Sequence, residues 1–246
     1  MNEVERINPY GDDDRAKDAQ VESMFDAIAP AYDFMNRAMT GGLDRVWLRR
    51  LVAAAAENNP VRVVDLATGT GDVAFALAAR LQGAEVTGLD LSEGMLAKAR
   101  AKAAAMSPAP KINFGKADCL STGLPEGCAD AVTVAYGVRN FADICAGYRE
   151  MYRILRPGGK LCVLELSTPR GTLTKAFYKL YTRTLIPLAG RLLSHDRRAY
   201  SYLPESIASA PQRGAMTALM TDAGFSRAGF RSFTFGVCTL YTAYKL

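Results

Sequence analysis

Apolar positions change their rhythm along the chain. Between 21 and 39, Met24, Ile28, Tyr32, Met35 and Met39 recur at helical spacing across a break at Pro30, which predicts two short helices and then a third at about 45–55. The polar, acidic stretch 1–20 reads as a loosely held tail. From 61 onward, short continuous apolar runs alternate with helical patterns. Strands are predicted at 61–66, 85–90, 112–115, 129–136 and 159–166. Helices are predicted at 72–82, at 92–105 with Ser92 as cap, and at 144–155, where RPGG at 156–159 forms the stop. Such alternation implies right-handed crossovers and a parallel sheet covered on both faces. Beyond 166 come a helical pattern over 172–193 broken at Pro187, a helix at 211–223, and two tightly joined strands at 226–236 and 237–244. The division expected is one α/β domain over 21–246, with lid helices at 21–55 and 172–210.

Composition narrows the class. At 246 residues, 49% of them hydrophobic, the chain can bury one large core. No apolar run approaches the roughly 18–20 residues a membrane span requires, and the N-terminal stretch has no apolar signal core, so a cytoplasmic location is expected. Cys119, Cys128, Cys145, Cys162 and Cys238 are scattered without a C-x-x-C pair, which argues against disulfide and zinc frameworks. The net charge of +5 is concentrated. Between Arg170 and Arg198 lie seven basic residues and a single acid, Asp196, which points to an anionic partner surface, lipid or nucleic acid. Lys175, Lys179 and Arg183 form one stripe and Leu173, Phe177, Leu180 and Leu188 another, a pattern that suits a helix lying on a membrane as well as an ordinary lid helix.

Candidate chemistry sits in VVDLATGTGD at 63–72. Gly69 and Gly71 follow a strand and open a helix, the setting of a nucleotide-binding turn. Asp90 ends the next strand 21 residues after Gly69, where an acid can hold ribose hydroxyls. A dinucleotide and S-adenosylmethionine both fit that much. Asp65 and Asp72 flank the turn. A pyrophosphate beside them costs on the order of 3–4 kcal/mol at an effective dielectric near 20, whereas a sulfonium and an ammonium are attracted. Asp72 equally suits the helix dipole, and Asp65 equally suits a structural role. Asp118 and Cys119 follow the third strand at the edge where ligands of open α/β sheets bind, Asp118 as an acceptor and Cys119 through its amide.

Several motifs are narrower than the glycine turn: FDAIAPAYDFMN at 25–36, DLATGTGD at 65–72, YGVRN at 136–140, RPGGKLCVLELSTP at 156–169, SYLPESI at 201–207 and TFGVCTLYTAYK at 234–245. Together they make the chain, from about residue 21 to the end, similar to the quinone-ring C-methyltransferases of menaquinone and ubiquinone biosynthesis. The resemblance implies a class I S-adenosylmethionine-dependent methyltransferase fold, Rossmann-like, with a seven-stranded, mostly parallel sheet and helical lid elements. It implies C-methylation of a polyprenylated quinol: demethylmenaquinol first, the ubiquinone-pathway benzoquinol as the alternative. The family's cofactor positions fall on Thr70, Asp90, Asp118 and Cys119. A further one, often serine, is Ala135 here, which leaves backbone contact only.

Ring methylation needs a nucleophilic carbon beside a deprotonated hydroxyl, and a free phenol has a pKa of about 10. A nearby cation lowers that value, which makes Arg139 the candidate phenolate partner, with Asn140 orienting a hydroxyl or water and Tyr32 and Asn36 holding the other ring oxygen. No metal is expected. His195, in the polar SHDRR, reads as a solvated histidine. The expected partners are a polyprenylated naphthoquinol and, transiently, the cytoplasmic face of the membrane, with no nucleic acid. A nucleic-acid methyltransferase and a nicotinamide-dependent oxidoreductase are the rival classes.

Overall fold

The structure is a computed structural model that describes residues 2–11, 13–172, 174 and 197–246. Three helices lead in: α1 (Lys17–Ile28), α2 (Tyr32–Thr40) and α3 (Leu43–Ala55). Alternation follows as β1 (Arg62–Leu66), α4 (Asp72–Arg80), β2 (Glu85–Asp90), α5 (Glu93–Ala104), β3 (Ile112–Lys116), β4 (Ala129–Ala135), α6 (Ile144–Ile154) and β5 (Leu155–Leu166). The chain closes with α7 (Arg197–Ser209), α8 (Gly214–Asp222), β6 (Ser226–Phe233) and β7 (Cys238–Tyr244).

The seven strands form one sheet in the order β3-β2-β1-β4-β5-β7-β6. All pairings are parallel except those of β7, which runs antiparallel to both β5 and β6. The reversal between β1 and β4 sets the point where ligands of such sheets bind, beyond the strands' carboxyl ends. The continuous apolar runs of β1, β4 and β5 are central strands buried on both faces, whereas β3 at the edge is half-exposed. One core packs α6 and α8 against the sheet through Tyr148, Met151 and Phe225, and the other packs α3 and α4 through Trp47, Leu51 and Leu77. Side chains on α6 show why the helix forms there: Ile144, Tyr148, Met151 and Ile154 are all fully buried at helical spacing. Asp143 caps it, its side chain accepting from the Ala146 amide at 2.8 Å. Ser92 caps α5 as expected, accepting from the Met95 amide at 3.1 Å.

Two local expectations change. RPGG at 156–159 ends α6 but does not separate it from the strand: Leu155 already pairs with Ala129, and Lys160 pairs with Ala131, so the four residues bulge out of an extended β5. The N-terminal segment is also not a loose tail. Glu3–Arg6 forms one 3-10 turn whose Val4 is fully buried, and Glu5 accepts from the Ile144 amide at 2.9 Å, satisfying an orphan donor at the start of α6. Too few apolar residues mark this turn for periodicity to show it. Among the described residues, no helix is long and apolar enough to cross a membrane.

Candidate active site

Two recesses meet above the carboxyl ends of β1, β2 and β4. The smaller is a cleft of about 100 Å³ lined by Gly69, Asp90, Asp118, Cys119 and Ala135 from the sheet edge. Residues Asp18, Glu22 and Phe25 close it from α1. The larger is a cavity of about 900 Å³ beneath α1–α3 and α7. Phe25, Tyr32, Tyr136 and Asn140 line both.

The glycine turn is held by its neighbours' carboxylates. Asp90 receives the Gly69 amide at 2.7 Å and the Ser92 amide at 2.9 Å, tying the turn to the start of α5. Burial raises the Asp90 pKa, against these amides, which favour its charged form. Gly71 sits at φ +88, and a Cβ there would lie 2.8 Å from the Phe75 ring, so glycine is required. On the facing loop, Tyr136 takes a left-handed φ of +59, and a Cβ on Gly137 would lie 2.7 Å from that of Ala67. The loops after β1 and β4 therefore approach more closely than side chains allow.

Of the expected cofactor residues, Gly69, Asp90, Asp118, Cys119 and Ala135 converge on the cleft, and Asp65, Thr70 and Gly71 do not line it. Asp65 points between β1 and β4, where it accepts from Thr68 and Thr133 hydroxyls, each at 2.6 Å. Burial lifts its pKa to about 7. Thr70 turns to Asp33 on α2, donating at 2.6 Å. Asp72 is partly solvent-exposed and paired with Lys102 at 2.8 Å, which offsets its charge. The charge argument built on Asp65 and Asp72 is thus corrected. Its physical content moves to the cleft lining, where Asp18, Glu22, Asp90 and Asp118 appear without any basic side chain among the described residues. Glu22 is paired outward with Lys116 at 2.5 Å. A cation fits such a lining and a diphosphate does not. Asp118 spends one oxygen on the Leu120 amide at 2.9 Å, and burial pushes the Cys119 thiol well up, so it stays neutral.

The lid is latched to this turn. Asp26 on α1 accepts from the Ser92 hydroxyl at 2.5 Å and from the Gly94 amide at 2.9 Å. Lys102 bridges Asp33 at 2.7 Å and Asp72.

The larger cavity is mostly apolar, with Met24, Ile28, Met35, Met39, Trp47 and Leu203 among its walls. Tyr32 and Asn140 stand at the end shared with the cleft, while Thr40, Asp44 and Thr234 line the cavity but not the cleft. Arg139 is 6% exposed. Its Nη1 donates to Glu165 at 2.6 Å and to the Tyr136 carbonyl at 2.6 Å, while its buried Nε has no partner among the described residues. Burial opposes the guanidinium charge, but neighbouring Glu165 and Tyr32 outweigh it and hold the pKa above its ordinary value. Arg139 is therefore held in a buried ion pair with Glu165. Glu165 was missed in the sequence, although one acid inside the apolar run KLCVLEL was the available signal, because a buried carboxylate is almost always paired. Asn140 donates to the Tyr136 carbonyl at 3.3 Å and accepts from the Tyr202 hydroxyl at 3.1 Å. Tyr202, in the motif SYLPESI, was likewise given no role; burial pushes its pKa up to about 12. Burial also raises the Tyr32 pKa, against a hydrogen bond from Asn36 and the charge of Arg139, so Tyr32 is a donor and not a base. The basic stripe of Lys175, Lys179 and Arg183, its apolar companions and His195 lie outside the described residues.

Comparison with known proteins fits this geometry. A profile of the ubiE/COQ5 methyltransferase family matches residues 13–245. The chain belongs to that family. It is 44% identical over 241 residues to the demethylmenaquinone methyltransferase of Bacteroides fragilis, covering 98% of each chain. It is 41% identical over 230 residues to a ubiquinone/menaquinone biosynthesis C-methyltransferase of Geobacter sulfurreducens, covering 93% of this chain and 90% of that one. Among solved structures, an S-adenosylmethionine-dependent methyltransferase of Thermotoga maritima, described as a possible histamine N-methyltransferase, matches with a TM-score of 0.64. At 16% identity over 91% of this chain and 99% of that one, it shows the fold alone. The expected class I methyltransferase architecture is the one observed.

Proposed function

We propose that this ubiE/COQ5-family enzyme methylates a ring carbon of a polyprenylated quinol, demethylmenaquinol, in menaquinone biosynthesis. The observation that carries the reading is the junction of an acid-lined cleft with a large, mostly apolar cavity, marked by a buried, ion-paired arginine on the cavity wall. S-adenosylmethionine, bound in the cleft, supplies the methyl group from its sulfonium. Asp90 is the residue for its ribose hydroxyls, Asp118 and the Cys119 amide for its base, and the carboxylate lining suits its positive charge.

The apolar walls of the cavity take the prenylated ring system and exclude water from the reacting end. Arg139, on the cavity wall and held by Glu165, stabilises the ring oxygen beside the accepting carbon as phenolate once the hydroxyl proton has left to solvent. After methyl transfer the ring carbon loses its own proton and the ring regains aromaticity, with S-adenosylhomocysteine as the leaving group. Tyr32 and Asn140 hold the ring in register through its oxygens, and Asn36 and Tyr202 orient those two side chains. Tail contacts supply binding; Arg139 supplies the transition-state term. The reading includes transient association with the cytoplasmic face of the membrane, where such a substrate resides. Mass analysis of quinones in cells lacking the chain tests it: accumulated demethylmenaquinone is expected, and an unchanged quinone pool would overturn it.

A further inference from the structure

The rim of the large cavity carries a feature that the reaction itself does not use. Phe34 on α2 is 60% exposed and Phe235, in the 234–236 turn before β7, is 82% exposed. Leu43 and Val46 on α3 are exposed beside them. These side chains belong to one surface. Trp47 donates its indole N–H to the Thr234 hydroxyl at 2.9 Å, which pins the 234–236 turn to α3. Leu43, Trp47, Thr234 and Phe235 all line the cavity, so the exposed apolar side chains form its lip.

Charge on this surface has one sign. Arg37 lies one helical turn from Phe34, and Arg50 continues the stripe of Leu43 and Val46 along α3; Arg45 and Arg49 flank it. All four arginines are exposed, and none makes an ion pair among the described residues. From 34 to 50 the sole acid is Asp44, which is buried and receives the Thr40 hydroxyl at 2.9 Å. An exposed apolar lip ringed by unpaired arginines suits a surface that is apolar within and anionic at its boundary.

We propose that α2, the α2–α3 turn and the 234–236 turn dock the enzyme on an anionic lipid bilayer, with Phe34, Leu43, Val46 and Phe235 entering the headgroup layer and Arg37 and Arg50 pairing with lipid phosphates. The cavity mouth then opens directly onto the bilayer, and a prenyl chain passes between the two without crossing water. That last step rests on the prenylated-quinol reading; the docking itself does not.

The test is co-sedimentation of the full chain with vesicles of phosphatidylcholine alone and with added phosphatidylglycerol. Binding to the anionic vesicles is expected, falling as salt rises. Arg37→Glu/Arg50→Glu is expected to lower partitioning at least about tenfold, since each basic residue near such a surface is worth about fivefold. Phe34→Ser/Val46→Ser, a pair outside the cavity wall, is expected to weaken it with the fold intact by circular dichroism. Both variants are expected to keep wild-type turnover on a short-chain, water-soluble demethylmenaquinol. The proposal fails if the wild type ignores anionic vesicles, if both variants bind as the wild type does, or if only Lys175→Gln/Lys179→Gln abolishes binding. Dimers dispersed by Phe34→Ser/Val46→Ser without change in vesicle binding would assign the lip to a second copy and also overturn it. Absence of turnover on the soluble acceptor would count against the quinol reading and leave the vesicle result standing.

Discussion

The cleft beside the glycine turn and the cavity beneath α2 share Tyr32, Tyr136 and Asn140, yet they are made of opposite materials. Backbone amides and carboxylates on strand ends shape the cleft: Gly69 and Ser92 amides are fixed on Asp90, which the sheet holds in place. Methionine, aromatic and leucine side chains from the lid helices shape most of the cavity, with Tyr32 and Asn140 at the shared end. A charged donor of fixed shape calls for rigid electrostatics, and a long flexible apolar acceptor calls for adaptable walls, which methionine provides. Arg139, paired with Glu165, stands on the cavity side of that boundary.

The sharpest way to break that comparison is to unpair the boundary. Glu165→Ala leaves a buried guanidinium uncompensated, and denaturant unfolding is expected to show a loss of about 3–5 kcal/mol. A loss near zero would mean that Arg139 reaches solvent without its partner. Next comes the split between the two recesses. Arg139→Ala is expected to lower kcat by about 10²–10³ with the affinity for S-adenosylhomocysteine unchanged by calorimetry. Equal losses in both would make Arg139 a brace for the loop and not part of the acceptor side. On the cleft side, Asp90→Asn is expected to weaken S-adenosylhomocysteine binding by about 1.5–3 kcal/mol, roughly 10- to 150-fold. An unaltered dissociation constant would remove Asp90 from the site.

Asp65 gives a subtler contrast, because it supports the cleft from within the sheet. Its pKa is raised from 3.8 to about 7 in the folded chain, so between those values the native state holds a proton that the unfolded state has lost. Its contribution is therefore fully present below about pH 4 and declines as pH rises to about 7, with a slope no steeper than about 1.4 kcal/mol per pH unit. Asp65→Asn is expected to remove that decline when unfolding free energies of the two proteins are compared from pH 4 to 8. A constant difference across the range would mean that Asp65 is ionised throughout. The smallest effect belongs to the lid. Asp33 and Lys102 are both partly exposed, so Asp33→Ala is expected to cost at most about 1 kcal/mol and to speed S-adenosylhomocysteine release about two- to fivefold in stopped flow. Slower release would mean that the latch hinders closure.

The legible parts of this molecule are those whose determinants lie close together in the chain. Gly69, Gly71 and Asp90 belong to one β1–α4–β2 unit, and their placement follows from the strand–turn–helix pattern. The direction of an acid within that unit is less legible. Asp65 sits beside Thr133, its register partner on the adjacent β4, whose hydroxyl donates to it from 68 residues later in the chain. Asp72 meets Lys102 from a different helix, 30 residues away, so its apparent charge disappears on folding. The motif YGVRN marks Arg139 but not its partner Glu165, because the pairing crosses from the loop after β4 to the end of β5. The cavity lip is the extreme case: Trp47 and Thr234 are 187 residues apart, and nothing local marks Phe235 as part of a rim with Phe34.

The most direct measurement of the central claim is the fate of a ¹³C-labelled methyl group from S-adenosylmethionine, offered with a short-chain demethylmenaquinol and followed by NMR. The account predicts label on the ring carbon beside a free hydroxyl, with Arg139→Ala giving little product of any kind. Label on a ring oxygen, or none in the quinol at all, would contradict it.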